Sequence, residues 1–118
     1  MSPAAKEIEE ESFKIIEERL NGINSPEKEI VKRVIHTTAD FEFKDLVVFK
    51  GPAIETGVRA AKAGRDIITD VNMVKAGINT RLLAKFGGKV KCFIQDDKVL
   101  EASKKEGSTR ARTSFRLF

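Results

Sequence analysis

The only histidine of the chain, His36, lies among polar and charged residues that could support proton transfer. An imidazole has an ordinary pKa of about 6.5, so it can release and regain a proton near neutral pH. Arg33, one helical turn earlier, disfavours the imidazolium, whereas Asp40, one turn later, favours it. The position also fits a surface histidine that caps the last carbonyls of a helix, and the local pattern leaves both interpretations open.

Several other kinds of site are excluded by residue counts and motifs. One histidine and one cysteine, Cys92, cannot form a structural zinc site or an internal disulfide. The sequence has no phosphate-binding loop of the P-loop kind and no G-x-G-x-x-G after a strand. Asp66 and Asp70 could share a cation, but their spacing in a strand only places them on one face. We therefore predict no metal site from these residues.

Charge is distributed unevenly along the chain. The net charge of +4 divides into −4 for residues 1–30 and +8 for residues 31–118. A basic region favours an anionic partner, which can be a nucleic acid or a polycarboxylate or phosphate ligand. A solvated surface rich in Lys and Glu is the plain alternative. Trp and Tyr are absent, so the stacking platforms of single-strand binders are poorly represented.

The sequence indicates a protein without a membrane partner. No stretch approaches the roughly 18 consecutive apolar residues of a membrane span. The first residues, Met1 to Glu7, lead into a charged helix and lack the apolar core of a signal peptide. A lone cysteine is compatible with a reducing compartment. We expect a cytoplasmic location.

Two helices precede and carry His36. Ser2-Pro3 starts the first helix and Asn21-Gly22 ends it, while Ser25-Pro26 opens the second. His36 is turned about 100° from the apolar stripe of the second helix, toward the side of Arg33. Ser12 shares a row with two isoleucines of the first helix, so its hydroxyl either bonds back to a helix carbonyl or points into a pocket.

The remainder alternates strand and helix patterns. Strand candidates are residues 46–49, 67–71 and 90–94, and helical patterns follow Gly51-Pro52, include Leu82 to Phe86, and run from Asp96 to Gly107. Such alternation predicts an α/β fold with a parallel sheet covered by helices on both faces. Residues 108–118 look like the opening of another helix. We expect residues 1–118 to form a single domain that is unfinished, since three strands are few for a covered parallel sheet.

Three segments together resemble the precorrin-8X methylmutases. The first is Ser12-Phe13 followed by Arg33-Val34-Ile35-His36-Thr37-Thr38-Ala39-Asp40-Phe41. The second is Asp70-Val71-Asn72-Met73-Val74-Lys75-Ala76-Gly77-Ile78 with Arg81-Leu82 after it, and the third is Gly107-Ser108-Thr109-Arg110. Their order and approximate spacing match the family from about residue 10 to residue 110.

The resemblance implies a flavodoxin-like, three-layer α/β/α sandwich and an isomerase of cobalamin biosynthesis. Such an enzyme moves a methyl group from C-11 to C-12 of precorrin-8X, or of its cobalt-containing counterpart, to give hydrogenobyrinic or cobyrinic acid. It implies no cofactor, and a homodimer that binds the tetrapyrrole at the subunit interface. His36 is then the general acid, and the implied substrate-binding residues are Ser12, Thr37, Met73, Gly77, Arg81, Thr109 and Arg110.

The resemblance also has a gap. Family members continue past the Thr-Arg step to a Gly-Asn-Ala-Pro-Thr-Ala segment, which has no match here, so we expect the family's C-terminal part to be missing. Three functions stay open at this point. They are a methylmutase, a non-catalytic tetrapyrrole-binding relative, and a small basic domain that binds nucleic acid.

Overall fold

Helices make up most of the regular structure in the computed structural model, which describes residues 1–23 and 25–118. The chain divides into two units, Met1–Thr56 and Gly57–Phe118. In the described residues no helix is both long and apolar enough to cross a membrane. The elements in chain order are α1 (Pro3–Glu18), α2 (Ser25–Thr38), α3 (Phe43–Leu46), α4 (Ala53–Lys62), β1 (Ile67–Thr69), α5 (Asn72–Gly77), α6 (Thr80–Ala84), β2 (Val90–Cys92), α7 (Asp97–Glu106) and α8 (Arg110–Leu117).

The first unit is built on the packing of α1 against α2. The Ser2 hydroxyl accepts a hydrogen bond from the Ala5 N–H at 3.2 Å, and Pro3 occupies the first turn, as the sequence predicts. The buried core consists of Ile16 on α1, Leu20 just after α1, and Val31 and Ile35 on α2. This core fixes the helix faces that carry Ser12 and His36.

The turn after α2 places the chain in an unusual backbone conformation. Ala39 has a φ of 55°, in the left-handed region that glycine usually occupies at a helix end. The Thr38 hydroxyl donates to the Val34 carbonyl at 2.8 Å and accepts from the Asp40 N–H at 3.3 Å. These bonds hold the end of α2 next to His36.

The predicted strand at residues 46–49 is wrong. Leu46 ends the short helix α3, and Val47 to Phe49 lie outside any helix or strand. Val47 and Phe49 pack against the core of the first unit, while Val48 is exposed. One face of this apolar run is therefore buried, but it packs against helices, and a strand needs a neighbouring backbone to pair with.

The second unit contains a parallel pair of strands, and both were predicted over somewhat longer ranges. β1 and β2 pair with Ile67 opposite Val90 and Thr69 opposite Cys92. The connection between them contains two short helices, α5 and α6, of which only the second was expected from the sequence. The Asp66 carboxylate accepts the Lys89 N–H at 2.9 Å, which ties the starts of the two strands together.

The helix α7 begins and ends where the sequence indicates, and α8 lies within the segment 108–118 that was expected to open a helix. The Asp96 side chain caps α7 at the Lys98 N–H, and Gly107 ends that helix at a φ of 62°. The Thr109 hydroxyl accepts from the Arg112 N–H at 3.3 Å and caps α8. The buried face of α8 carries two hydroxyl side chains, Thr113 and Ser114.

Candidate functional site

The first unit brings together Ser12 and His36, which are 24 residues apart in the sequence. The Ser12 Oγ and the His36 Nδ1 are 2.8 Å apart, within hydrogen-bonding distance. Ser12 is half-buried and His36 is exposed. Of the two alternatives for the Ser12 hydroxyl, the structure shows it facing a cavity and bonded to the only histidine.

An aromatic ring lies beside this pair. The rings of Phe13 and His36 have their centroids 4.7 Å apart at an interplanar angle of 32°. The Arg33 guanidinium lies 5.3 Å from the centroid of the same phenyl ring, and its other neighbour is the Glu9 carboxylate at 4.0 Å. Phe13 therefore contacts the imidazole and also lies close to the Arg33 guanidinium.

The Ser12–His36 pair borders a largely apolar groove of about 700 Å³. Apolar side chains from α1, from α2 and from the turn that follows α2 form most of its wall. Two glutamates at its rim, Glu7 and Glu11, add negative charge. The other lining residues are Ile8, Ile15, Ile16, Ile35, Ala39 and Phe41. Most ligand pockets have this composition, with apolar walls and few polar groups that fix orientation.

An ion-pair network around Lys32, one turn before His36 on α2, also joins the two helices. The Lys32 ammonium is 2.8 Å from the Glu17 carboxylate and 3.0 Å from that of Glu29. The hydrogen bond to Glu17 raises the pKa of Lys32 above its ordinary value, and Glu29 adds to this rise. The hydrogen bond from Lys32, and to a smaller extent that from Lys28, lowers the pKa of Glu17 below its ordinary value. These bonds connect α1 to α2 and fix the rotation of the two helices.

Two further residues near His36 have been given roles by their position in the sequence. Thr37 is exposed at the end of α2, and a role in substrate binding stays a prediction. The Asp40 carboxylate accepts the Glu42 N–H at 2.9 Å, so one of its oxygens is occupied by the backbone of the following turn.

Three predicted substrate-binding residues lie in the second unit, after β1. Met73 and Gly77 are on α5, which packs against both strands, and Arg81 is on α6. All three are exposed, and Met73 is 81% exposed. Met73 is therefore no core residue of its unit. A Cβ atom added at Gly77 would meet nothing within 4 Å, so the packing of the unit does not require glycine there.

The remaining predicted pair, Thr109 and Arg110, forms the start of α8. Both residues are exposed, and Thr109 lines a cavity of about 410 Å³ with Ser108 and Arg112. The Thr109 hydroxyl already accepts the Arg112 N–H, and its substrate contact stays a prediction.

Sequence reasoning gave no role to Phe13, although this residue contacts the imidazole. The only signal was that Phe13 adjoins Ser12 in the first motif, although adjacent helical residues point about 100° apart. Deciding that Phe13 faces His36 needed the crossing of α1 and α2. Within residues 1–23 and 25–118, no group of three or more His, Cys, Asp or Glu side chains is arranged to hold a metal ion.

The geometry is suited to moving a single proton. An imidazole can deliver a proton from one ring nitrogen while its other nitrogen keeps a hydrogen bond. A hydroxyl beside a histidine also occurs in nucleophile–base pairs, where a third group orients the base. Here the neighbours of the imidazole are Ser12 and a phenyl ring, and the Asp40 carboxylate is bonded to the backbone. The arrangement favours acid–base chemistry on a ligand in the groove.

Comparison with known proteins supports the motif resemblance. The sequence model of the precorrin-8X methylmutase family matches residues 7–118. A cobalt-precorrin-8 methylmutase of Leptospira interrogans is 40% identical over 112 residues, covering 93% of this chain and 51% of the relative. One from Methanocaldococcus jannaschii is 47% identical over 103 residues, covering 87% of this chain and 46% of the relative.

Solved structures give the same result for the fold. A precorrin-8X methyl mutase from Thermus thermophilus matches with a TM-score of 0.76 and 35% identity, covering 95% of this chain and 54% of that one. A precorrin-8X methylmutase related protein matches with a TM-score of 0.77 and 27% identity, covering 89% and 55%. The predicted α/β fold class is confirmed. The chain spans about half the length of the relatives that it matches.

Proposed function

The chain belongs to the precorrin-8X methylmutase family, and we propose that it contributes the proton-transfer site of a methylmutase acting on a corrin precursor. The proposed reaction is the shift of a methyl group from C-11 to C-12 of precorrin-8X or cobalt-precorrin-8. We also propose that residues 1–118 belong to a single methylmutase domain, which the match over residues 7–118 supports. Family membership favours this function over the binding of nucleic acid.

The Ser12–His36 contact at the edge of an apolar groove is the observation that carries the proposal. A methyl shift around a conjugated macrocycle needs little covalent assistance from the protein. Orientation of the ring and delivery of one proton can select the tautomer that rearranges. His36 is the proposed donor, and the apolar wall suits a flat macrocycle that brings its own carboxylates.

The other proposed substrate-binding residues differ in the part of the substrate that each could bind. Arg81 and Arg110 are suited to peripheral carboxylates of the substrate, since a guanidinium forms charge-assisted and often bidentate bonds to them. Thr37 and Thr109 can supply neutral hydrogen bonds. Met73 offers an apolar surface to a ring face. Their exposure keeps all five side chains accessible to a ligand.

Gly77 offers a separate test of ligand contact. It is a helical residue, and a Cβ atom there has open space. Gly77→Ala should therefore leave stability unchanged or raise it by up to about 1 kcal/mol. If the substrate approaches this backbone, the same variant weakens binding of hydrogenobyrinic acid. Unchanged binding would remove Gly77 from the proposed site.

A homodimer with a shared site and a cytoplasmic location complete the proposal. Two isoleucines at the groove, Ile8 and Ile15, are 72% and 49% exposed, which gives the first unit an apolar surface for a partner or a ligand. Light scattering coupled to size-exclusion chromatography tests the dimer. A mass of one chain across the accessible concentration range would refute it.

Binding is tested by a visible-absorbance titration of the purified chain with hydrogenobyrinic acid, the expected product. An unrelated polycarboxylate serves as competitor, because it would displace a ligand held only by charge. A saturable spectral shift that resists the competitor supports a shaped site. No shift in a folded protein would contradict the proposal for this chain.

Turnover is tested with precorrin-8X and the His36→Ala variant. Loss of a positioned general acid typically costs a factor of about 10² to 10⁴ in rate. His36→Ala should abolish measurable conversion while binding survives. If the unaltered chain binds but never converts, the non-catalytic alternative is correct. If His36→Ala converts normally, His36 is not the acid.

A further inference from the structure

We propose that Ser12 and Phe13 are positioning residues that hold His36 with its Nδ1 protonated, so that Nε2 is the nitrogen that exchanges the proton with substrate. This inference rests on the proposed role of His36 as general acid. The family resemblance implied that Ser12 contacts the substrate, whereas here Ser12 contacts His36, the proposed general acid. Phe13, which had no role in the sequence analysis, is assigned one.

The Ser12–Nδ1 contact joins two well-supported backbone positions. Ser12 is one turn before Ile16 on α1, and His36 adjoins Ile35 on α2. Ile16 and Ile35 are both buried in the core of the first unit. The 2.8 Å distance therefore depends on packed helices, although His36 itself is exposed. In the imidazolium both ring nitrogens carry a proton, so in that state the Ser12 hydroxyl can only accept from Nδ1–H.

The proton balance explains why a hydroxyl fits this position. In the imidazolium, Nδ1–H donates to the Ser12 Oγ and Nε2–H faces away from that bond. Transfer of the Nε2 proton to a carbon of the macrocycle leaves a neutral imidazole that still carries Nδ1–H. Ser12 accepts a hydrogen bond before and after the transfer, so no side chain has to turn. Water then restores the Nε2 proton, because the imidazole is exposed.

Phe13 restricts the other degree of freedom, which is rotation of the imidazole ring. The phenyl ring is half-buried, packs on the core and lies 4.7 Å from the imidazole at a tilt of 32°. A rotation of the imidazole out of its present plane would give up this aromatic contact. Ser12 and Phe13 are consecutive residues, so one turn of α1 supplies both restraints.

The ring nitrogens of His36 can be observed directly, because the chain has no other histidine. Protein labelled with ¹⁵N only in histidine gives one Nδ1 signal and one Nε2 signal, and long-range ¹H–¹⁵N correlation distinguishes the protonated nitrogen from the bare one. The spectra are recorded at increasing pH until the ring signals stop changing, and without any tetrapyrrole. The variants are Ser12→Ala, Ser12→Thr and Phe13→Leu, and the matched controls are Ser108→Ala and Phe115→Leu in the second unit.

We expect the unaltered chain to show a protonated Nδ1 and a bare Nε2. Ser12→Ala should lose this preference and give averaged signals, Ser12→Thr should retain it, and Phe13→Leu should weaken it. The controls should match the unaltered chain. A protonated Nε2 in the unaltered chain, or identical spectra for the unaltered chain and Ser12→Ala, would overturn the proposal. Dispersed methyl signals establish that each variant is folded.

This experiment separates the inference from the proposed function. It reads the tautomer in the ligand-free protein, so it can succeed even if hydrogenobyrinic acid does not bind. Conversely, binding and turnover with a protonated Nε2 would support the methylmutase function and refute the positioning roles of Ser12 and Phe13.

Discussion

The interiors of the two units differ in chemistry. The buried core of the first unit is apolar and consists of Ile16, Leu20, Val31 and Ile35. The second unit buries only Leu83 and Val99 among its large apolar side chains. It also buries four hydroxyl side chains, which are those of Thr69, Ser103, Thr113 and Ser114.

This difference bears on where a site can be held rigidly. Apolar burial contributes about 25 cal/mol per Å², so the first unit gains free energy from the same contacts that align Ser12 with His36. A buried hydroxyl costs free energy unless it is bonded. Ser103 donates to the Leu100 carbonyl at 3.0 Å, whereas no partner in the described part of the chain reaches the hydroxyls of Thr113 and Ser114.

Removing an apolar side chain from each interior should have the largest effect and should be greater in the first unit. Leu20→Ala deletes a fully buried side chain, and we expect it to lower the free energy of unfolding by about 2–5 kcal/mol. Leu83→Ala should cost less, because Leu83 is 7% exposed. Leu46→Ala, at an exposed position of the first unit, is the control. Urea denaturation measures all three, and equal losses for Leu20→Ala and Leu83→Ala would remove the contrast.

The second unit should be the more sensitive of the two to substitution of glycine. Gly64 has a φ of 77°, and a Cβ atom there would lie 2.5 Å from the Phe86 carbonyl oxygen. Gly22, in the first unit, has a φ of 87° but open space around it. Gly22→Ala should cost about 1–2 kcal/mol from backbone strain alone, and Gly64→Ala should cost more. Equal unfolding midpoints for the two variants would show that the backbone at Gly64 yields without cost.

Replacing a buried hydroxyl of α8 should stabilise the protein. Thr113→Val keeps the shape of the side chain and removes an oxygen that lacks a partner among the described residues. We expect a gain of about 1 kcal/mol in the free energy of unfolding. Thr56→Val, at an exposed helical position, should change it by less than about 0.5 kcal/mol. A loss of stability in Thr113→Val would mean that the hydroxyl is bonded.

The smallest effects concern one carboxylate in each unit. Lys32 and then Lys28 lower the pKa of Glu17 below 4.5, and Lys91 and then the Lys89 N–H lower that of Asp66 below 3.8. A carboxylate with a lowered folded-state pKa stabilises the fold above its ordinary pKa, and this contribution is lost as the pH falls through the lowered value. Both side chains are accessible to solvent, so the changes should be modest.

Thermal unfolding as a function of pH measures these contributions. Glu17→Gln and Asp66→Asn should each lower the Tm at neutral pH. In each variant the Tm should then decrease less than that of the unaltered chain as the pH is lowered into the acid range. Asp66→Asn should have the larger effect, because Asp66 has both an ion pair at 2.6 Å and a backbone hydrogen bond. If Asp66→Asn leaves the acid limb of the curve unchanged, this carboxylate does not link the two strands energetically.

Local signals in the sequence predicted much of the fold. Ser2-Pro3, Asp96 and Gly107 are cap residues whose effect extends over one turn, and the helix bounds they indicated are correct. The strands around Ile67 and Val90 followed from short runs of apolar and β-branched residues. The same kind of run at residues 46–49 misled the prediction, because an apolar run can pack against helices as well as pair in a sheet.

The sequence by itself determined the family, the main helices and the choice of His36 as the candidate acid. Each of these depends on residue types at short spacing, which are visible without a structure. Only the tertiary structure decided that Ser12 bonds to His36 and that Phe13 lies against the imidazole. The reason is physical: residues 24 positions apart meet only because burial of Ile16, Leu20, Val31 and Ile35 fixes how α1 and α2 cross.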